Sequence, residues 1–308
     1  MKSEIVQKIS ASVQGIVARN EPLAKHTSFR IGGSADVFIE PKDYTDAVEL
    51  ILFLKKNDIS FTMLGNGSNV LVSDNGIRNV VINMESGLHN IIFDGKYVTS
   101  ESGVLLNRFV DFCIQREFAG VEMLAGIPGT IGGAIVMNAG AHNGEISDFL
   151  IDVEIMRGSE ITIVSKKEAE FQYRNSALQN DVVLSARFEF PKGNKDTLIT
   201  TRKEMLQKRN STQPLDYPNS GSVFKNPKPL FAARLIEEAG LKGTRIGDAE
   251  ISQKHANFII NHGNAKASDV LSLMKLGKKI VKQKFNISLH PEVKLIGFSS
   301  EELQGLYE

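Results

Sequence analysis

The chain has 308 residues, of which 42% are hydrophobic and 23% are charged. This composition is typical of a folded globular protein, and the length suits two domains better than one core. Basic and acidic residues balance at 36 each, which argues against a nucleic-acid-binding surface. No apolar run approaches the length of a membrane span, and the first residues lack the apolar core of a signal peptide. The single cysteine, Cys113, rules out a disulfide within the chain, indicates a cytoplasmic protein, and is expected to be buried and unreactive.

Hydrophobic periodicity predicts the elements of the first half in chain order. Apolar residues at helical spacing predict a helix over residues 3–19, and alternation at Ala35, Val37 and Ile39 predicts a strand. The elements that follow are a helix over 44–56, short strands near 61–64, 70–72 and 80–82, a helix over 105–116, and strands through 153–155, 161–163 and 182–190.

A polar turn cluster at 191–194 predicts a domain boundary. The elements after it are helices over 201–208, 230–239 and 267–285 and strands near 258–260 and 293–296. Short strands interleaved with helices in both halves indicate α+β architecture. We therefore expect a first domain at residues 1–195 and a smaller second domain at residues 196–308.

Two glycine-rich segments of the first half are candidates for binding a dinucleotide. Leu64–Asn69 reads LGNGSN between two predicted strands, where glycines let the backbone turn sharply and approach an anion. It lacks the Lys-Ser or Lys-Thr of a Walker A loop, and the strand after it excludes a Rossmann fingerprint. By itself, this segment is more typical of a tight turn. The second segment, Gly126–Ala134, reads GIPGTIGGA, and two such loops in one half favour a pyrophosphate cradle.

Three other strings contain residues suited to catalysis. Arg174 in YRNS could grip a carboxylate with two parallel hydrogen bonds, although a lone loop arginine is usually a surface charge. Ser222 in GSVFKNP has no His and Asp arrangement and no nucleophile elbow, so acyl-enzyme chemistry is disfavoured. A serine could still act as an acid toward a very basic anion. Glu292 in HPEVKLIG precedes a predicted apolar strand that could partly bury it.

Together with HTSFRIGG at His26–Gly33, these strings resemble the UDP-N-acetylenolpyruvoylglucosamine reductase family, in the family's order and over about residues 26–297. The resemblance implies an FAD-binding domain of the vanillyl-alcohol-oxidase type followed by a smaller α+β substrate-binding domain. Neither glycine loop contains a His or Cys for covalent attachment, so we expect noncovalent FAD. The implied cofactor contacts are Gly65, Asn66, Gly67, Ser68, Asn69, Gly126, Gly129, Thr130 and Gly133.

The implied reaction is the NADPH-dependent reduction of UDP-N-acetylglucosamine enolpyruvate to UDP-N-acetylmuramate, a step of bacterial peptidoglycan precursor synthesis. The resemblance makes Ser222 the proton donor and assigns Arg174 and Glu292 to the enolpyruvyl carboxylate. It also makes Arg209, Lys225 and Asn226 candidates for binding the UDP-sugar. The stretch between Arg209 and Ser222 is short, which resembles the family's shorter subtype without a tyrosine-bearing capping loop.

Two alternatives remain: a flavin oxidase of the same fold that acts on an alcohol or sugar, and a noncatalytic flavin- or UDP-sugar-binding protein. The expected partners are small molecules, with no nucleic acid and no membrane, and the chain is expected to be a monomer. No metal is expected, since His255 and His262 lack metal-ligand spacing.

Overall fold

The computed structural model describes residues 3–307. Its helices are α1 Ser3–Ala11, α2 Tyr44–Lys56, α3 Leu106–Gln115, α4 Ile131–Met137, α5 Lys195–Thr212, α6 Ala232–Glu238, α7 Ala267–Phe285 and α8 Ser300–Leu303. Its strands are β1 Ile16–Pro22, β2 Ser34–Glu40, β3 Phe61–Leu64, β4 Val70–Val72, β5 Ile77–Asn83, β6 Ile91–Phe93, β7 Val98–Glu101, β8 Gly140–Ala141, β9 Gly144–Glu145, β10 Leu150–Arg157, β11 Glu160–Ser165, β12 Val182–Phe188, β13 Arg245–Ile246, β14 Ala249–Ile251, β15 Ile259–Asn261 and β16 Lys294–Ile296.

The described residues form two compact units. The first unit takes residues 3–19, 36–66 and 79–209. It holds a five-stranded sheet of order β11-β10-β12-β7-β6, whose neighbouring strands are antiparallel. It also holds most of a four-stranded sheet of order β1-β2-β5-β3, in which β3 and β5 run parallel. Each sheet packs against its own apolar core, one centred on α3 and the other on α2.

The second unit takes residues 20–35, 67–78 and 210–307. Its core packs α6 and α7 with Phe29, Leu71 and Val293. Strand β16 pairs in parallel with β4, with Leu295 opposite Leu71. The ends of α7 explain its length: both oxygens of Asp74 accept hydrogen bonds from N–H groups of its first turn, and Asn286 ends it in a left-handed conformation.

Most predicted elements are confirmed, and two helices, α2 and α7, match their predicted bounds. The N-terminal prediction is wrong beyond Ala11, because the chain turns and continues as β1 from Ile16. Buried Asp46 holds this turn by accepting hydrogen bonds from the N–H groups of Gln14 and Gly15. Ile16 is consequently 60% exposed.

The domain division at residue 195 stays a prediction, while the compact units are discontinuous in sequence and most of α5 lies with the first. Cys113 is buried as predicted, and burial raises the pKa of its thiol. Among residues 3–307, none of the helices has the length and apolar character needed to cross a membrane.

Candidate active site

The two glycine loops approach each other within the first unit. A Cβ atom on Gly65 would lie only 2.6 Å from the hydroxyl oxygen of Thr130, so glycine is needed for this close contact. The Asn83 amide donates to the Gly65 carbonyl at 3.1 Å and fixes the end of β3 beside the second loop. Two residues 65 positions apart in sequence, Gly65 and Thr130, thus lie on one surface of that unit.

The second half of the Gly126–Ala134 segment is helical rather than a loop. Thr130 is the N-cap of α4, and its hydroxyl accepts a hydrogen bond from the Gly133 N–H at 3.4 Å. The N–H groups of Ile131 and Gly132 are also used, by the carbonyls of Val104 and Ser102. Among residues 3–307, no protein acceptor takes the backbone N–H groups of Gly126, Gly129 or Thr130.

A cavity of about 430 Å³ adjoins Gly126 and Gly129. Asn66 and residues 126–129 line it, with Leu105 and Arg202 among the other lining residues. Gly126 and Gly129 both have positive φ angles, 81° and 133°, which turn the backbone around the cavity. Backbone donors without protein acceptors beside a cavity suit an anionic group such as a dinucleotide pyrophosphate. The residues present therefore fit FAD.

Arg174 lies in the first unit with its side chain held by the residues that follow α4. Its Nη2 donates to the Gly140 carbonyl at 2.6 Å, and its Nη1 donates to the Asn138 carbonyl at 3.5 Å. The backbone has a left-handed φ of 55°, and the guanidinium lies 5.0 Å from the centre of the Tyr173 ring. A left-handed arginine is uncommon and indicates a local constraint.

Ser222 and Glu292 lie together on paired segments of the second unit. The Glu292 N–H donates to the carbonyl of Val223 at 2.9 Å, and Phe224 forms a bridge with Pro291. On its other side, Ser222 forms an antiparallel bridge with Phe258. Backbone pairing thus fixes the serine and the glutamate as near neighbours.

Asn69 of the first glycine segment belongs to the same part of the second unit. Its amide donates to the Glu292 carbonyl at 3.3 Å, and its own carbonyl accepts from the Lys294 N–H at 3.0 Å. Gly67 is packed against the His26–Gly33 segment, since a Cβ there would meet the His26 carbonyl oxygen at 2.0 Å. The second unit therefore brings together the His26–Gly33 segment, the end of the first glycine segment and the segment that contains Glu292.

The three predicted substrate-binding residues have different settings. Arg209 lies beside the second glycine loop in the first unit, where burial lowers its pKa, and its Cδ would be 2.9 Å from a Cβ on Gly126. Lys225 pairs through its backbone N–H with the His290 carbonyl. Asn226 has a structural task as well, because its side-chain oxygen accepts the Ala232 N–H at the start of α6.

Two further candidates were not found from the sequence. Asn138 is fully buried at the end of α4 and contacts the Arg174 loop. An Asn before Ala139-Gly140 at a helix end is a recognisable signal for a left-handed cap. Lys294 lies two residues after Glu292, and its pKa is lowered by desolvation and then by the charge of Lys225. Lys225 and Lys294 thus lie near each other in the second unit.

Two domain families match this chain. Residues 35–164 match an FAD binding domain, and residues 213–296 match the C-terminal domain of UDP-N-acetylenolpyruvoylglucosamine reductase. Together with the α+β architecture, these matches define a flavin-dependent oxidoreductase with an FAD-binding domain. The predicted fold class and the predicted FAD cofactor are confirmed.

Full-length relatives specify the family. The chain is 45% identical over 287 residues to the UDP-N-acetylenolpyruvoylglucosamine reductase of Caldanaerobacter subterraneus, covering 92% of this chain and 95% of the relative. The Clostridium novyi protein of the same name is 42% identical over 97% of this chain and 98% of its own. The crystal structure of the Thermus caldophilus reductase superposes with a TM-score of 0.78 at 32% identity, covering 92% of this chain and 99% of that one. The chain belongs to the UDP-N-acetylenolpyruvoylglucosamine reductase family.

Proposed function

We propose that this protein reduces UDP-N-acetylglucosamine enolpyruvate to UDP-N-acetylmuramate with NADPH, and so contributes to peptidoglycan precursor synthesis. The observation that carries the proposal is near-full-length identity of 45% to a reductase of that name. When bound, FAD supplies the hydride chemistry that links NADPH to the enolpyruvyl double bond. The proposed cofactor contacts are the predicted residues of the two glycine segments, with the N–H groups of Gly126, Gly129 and Thr130 foremost.

In this proposal, Arg174 and Glu292 act on the enolpyruvyl carboxylate. Reduction of the double bond places negative charge beside that carboxylate, and a fixed guanidinium stabilises such charge. Arg174 suits this task because two carbonyl acceptors already orient its side chain. Glu292 is proposed to bind the same group, and backbone pairing fixes its position.

Ser222 is the proposed proton donor. A hydroxyl is a weak acid at neutral pH, but the enolate-like carbon formed by hydride addition is basic enough to take its proton. The backbone bridge to Phe258 and the pairing of Val223 with Asn257 hold Ser222 in place. Arg209, Lys225 and Asn226 are proposed to bind the UDP-sugar, Asn226 in addition to its cap of α6.

Flavin absorbance tests the proposal. The purified protein should be yellow, should release intact FAD on denaturation, and should lose its flavin absorbance when NADPH is added without oxygen. Anaerobic addition of the enolpyruvyl sugar should then restore the flavin absorbance at least as fast as the enzyme turns over. Rapid reoxidation by oxygen with no response to the UDP-sugar would favour a flavin oxidase, and absence of any reduction by NADPH would favour a binding protein.

We further propose that the enzyme works in the cytoplasm as a monomer. One buried cysteine suits a reducing compartment, and the proposed substrates are both soluble small molecules. Light scattering of the FAD-loaded protein tests the oligomeric state, and a mass of twice the 33.9 kDa chain would contradict it.

A further inference from the structure

Asn138 connects the second glycine loop to Arg174 within the first unit. Thr130 is the N-cap of helix α4 and Asn138 is its C-cap, and the helix between them is about 10 Å long. The Asn138 side chain donates to the Gln172 carbonyl at 3.0 Å, at the start of the turn that carries Arg174. Its backbone carbonyl accepts from the Arg174 guanidinium.

The orientation of the Asn138 amide is fixed by its partners. The side-chain nitrogen donates both to the Gln172 carbonyl and to a carboxylate oxygen of Glu145, the latter at 2.6 Å. Both partners are acceptors, so the amide cannot rotate by 180° without losing both bonds. In this orientation the side-chain oxygen of Asn138 is buried and has no hydrogen-bond partner among residues 3–307, which costs folding free energy. A buried polar group left unpaired in this way calls for an explanation such as a functional role.

The backbone of this region is also constrained. Asn138 and Arg174 both adopt left-handed φ angles, 45° and 55°, which non-glycine residues rarely do. Residues 172 and 175 pair across the turn in both directions, so the turn moves as one piece. Displacing Gln172 would therefore displace the Arg174 side chain.

We infer that Asn138, held by Glu145, is a positioning residue that fixes the place of the Arg174 guanidinium. The inference rests on the proposed role of Arg174 in reducing the enolpyruvyl group. Asn138 touches Arg174 and its turn, and acts on the reaction through them. A shift of about 1 Å in such a group can slow a reaction by roughly 10²-fold.

The test variant is Asn138→Gly. Glycine keeps the left-handed backbone at no steric cost, so the substitution removes the side-chain clamp alone. Asn286→Gly is the matched control, because Asn286 also ends a helix, α7, with a left-handed φ of 57° but is exposed. Both proteins are studied as FAD-loaded full-length chains.

Stopped-flow flavin absorbance should separate positioning from damage. In Asn138→Gly we expect normal FAD content and normal reduction by NADPH, with reoxidation by the enolpyruvyl sugar slowed by roughly 10²-fold. The double variant Asn138→Gly/Arg174→Ala should be no slower than Arg174→Ala alone, since the clamp has nothing left to position. Asn286→Gly should match the wild type in both half-reactions.

Two results would overturn the inference. One is reoxidation of Asn138→Gly at the wild-type rate while Arg174→Ala is slow. The other is a double variant whose reoxidation is slowed by the product of the two single-variant factors, because this would indicate that Asn138 acts independently of Arg174. If Arg174→Ala itself reoxidises normally, the proposed role of Arg174 has failed instead, and the two failures are thus distinguishable.

Discussion

Two serines in one segment allow the proposed proton donor to be compared with a close neighbour. Ser220 is 2% exposed and its hydroxyl has no hydrogen-bond partner among residues 3–307. Removing it costs no hydrogen bond, so Ser220→Ala should fold and bind FAD as the wild type does. It is therefore the control for Ser222→Ala, which removes an equally small group.

Ser222→Ala should slow one half-reaction only. Flavin reduction by NADPH needs no protein acid and should be nearly unchanged, whereas reoxidation by the enolpyruvyl sugar should slow by roughly 10²–10⁴-fold. Ser222→Cys should recover part of the rate, because a thiol can also give a proton. Anaerobic stopped-flow absorbance measures both steps. Reoxidation of Ser222→Ala at the rate of Ser220→Ala would remove Ser222 from the mechanism.

At the level of single residues, the sequence predicts those that lie inside distinctive strings and misses those that act through distant contacts. Arg174, Ser222 and Glu292 each stand in a string typical of the family, and their assigned roles stay predictions. Asn138 gains its candidate role from Gln172 and Glu145, and Lys294 from Lys225. These contacts form only in the folded chain, so no local sequence pattern predicts them.

At the level of elements, capping residues and helix-disfavouring residues explain which predictions match the structure. Helix α2 matches because Asp43 caps it and its buried residues recur at helical spacing. Residues 12–19 share that spacing but include Gly15 and several β-branched residues, and they form a turn and a strand instead. The glycines of Gly126–Ala134 predict a loop because glycine has low helix propensity, but the segment from Ile131 forms α4, which Thr130 caps.

Gly133 provides a selective test of the proposed cofactor cradle. It is exposed in α4, and a Cβ there would meet nothing closer than the Thr130 hydroxyl oxygen at 3.6 Å. Gly133→Ala should therefore leave the fold intact and raise the stability of the FAD-free protein by about 0.5–1 kcal/mol. If FAD approaches this backbone, its affinity should fall by roughly tenfold or more, about 1.4 kcal/mol.

Fluorescence titration of FAD into the stripped protein measures this affinity. Gly277→Ala in α7 is the matched control, since a Cβ there has an ordinary 3.7 Å contact with Phe224. Gly67→Val is unsuitable, because its Cβ would collide with the protein's own backbone. Unchanged FAD affinity in Gly133→Ala would exclude Gly133 from the cofactor contacts.

At the level of the whole molecule, long-range strand pairing explains why the compact units could not be read from the sequence. Residues 20–35 and 67–78 belong with the C-terminal part of the chain, and Leu71 of β4 pairs with Leu295 of β16. Hydrophobic periodicity predicts both strands, but it does not indicate which strands pair when they are so distant in sequence. The turn cluster at 191–194 predicts a single boundary near residue 195, and this boundary stays a prediction.

Whole-molecule stability should respond to pH through His255. The ring packs edge-on against Phe258, with 4.7 Å between the ring centroids, and its Nδ1 is buried. Burial lowers its pKa from the ordinary value of 6.5, and the charge of Lys242 lowers it further, while a hydrogen bond to its own backbone and Glu237 oppose these effects. Well above pH 6.5 the imidazole is neutral in both states and contributes no pH dependence.

As the pH falls through 6.5, the unfolded chain takes up a proton at His255 that the folded protein does not, so stability should fall until the lowered pKa is reached. The stability of His255→Gln should depend less on pH in this window, by up to about 1.4 kcal/mol per pH unit. His142→Gln should act in the same direction, because burial and the charges of Lys208 and Arg209 lower the pKa of His142. Guanidinium unfolding of the FAD-loaded proteins on both sides of pH 6.5 measures the slopes. Equal slopes for wild type and His255→Gln would show that His255 is protonated alike in both states.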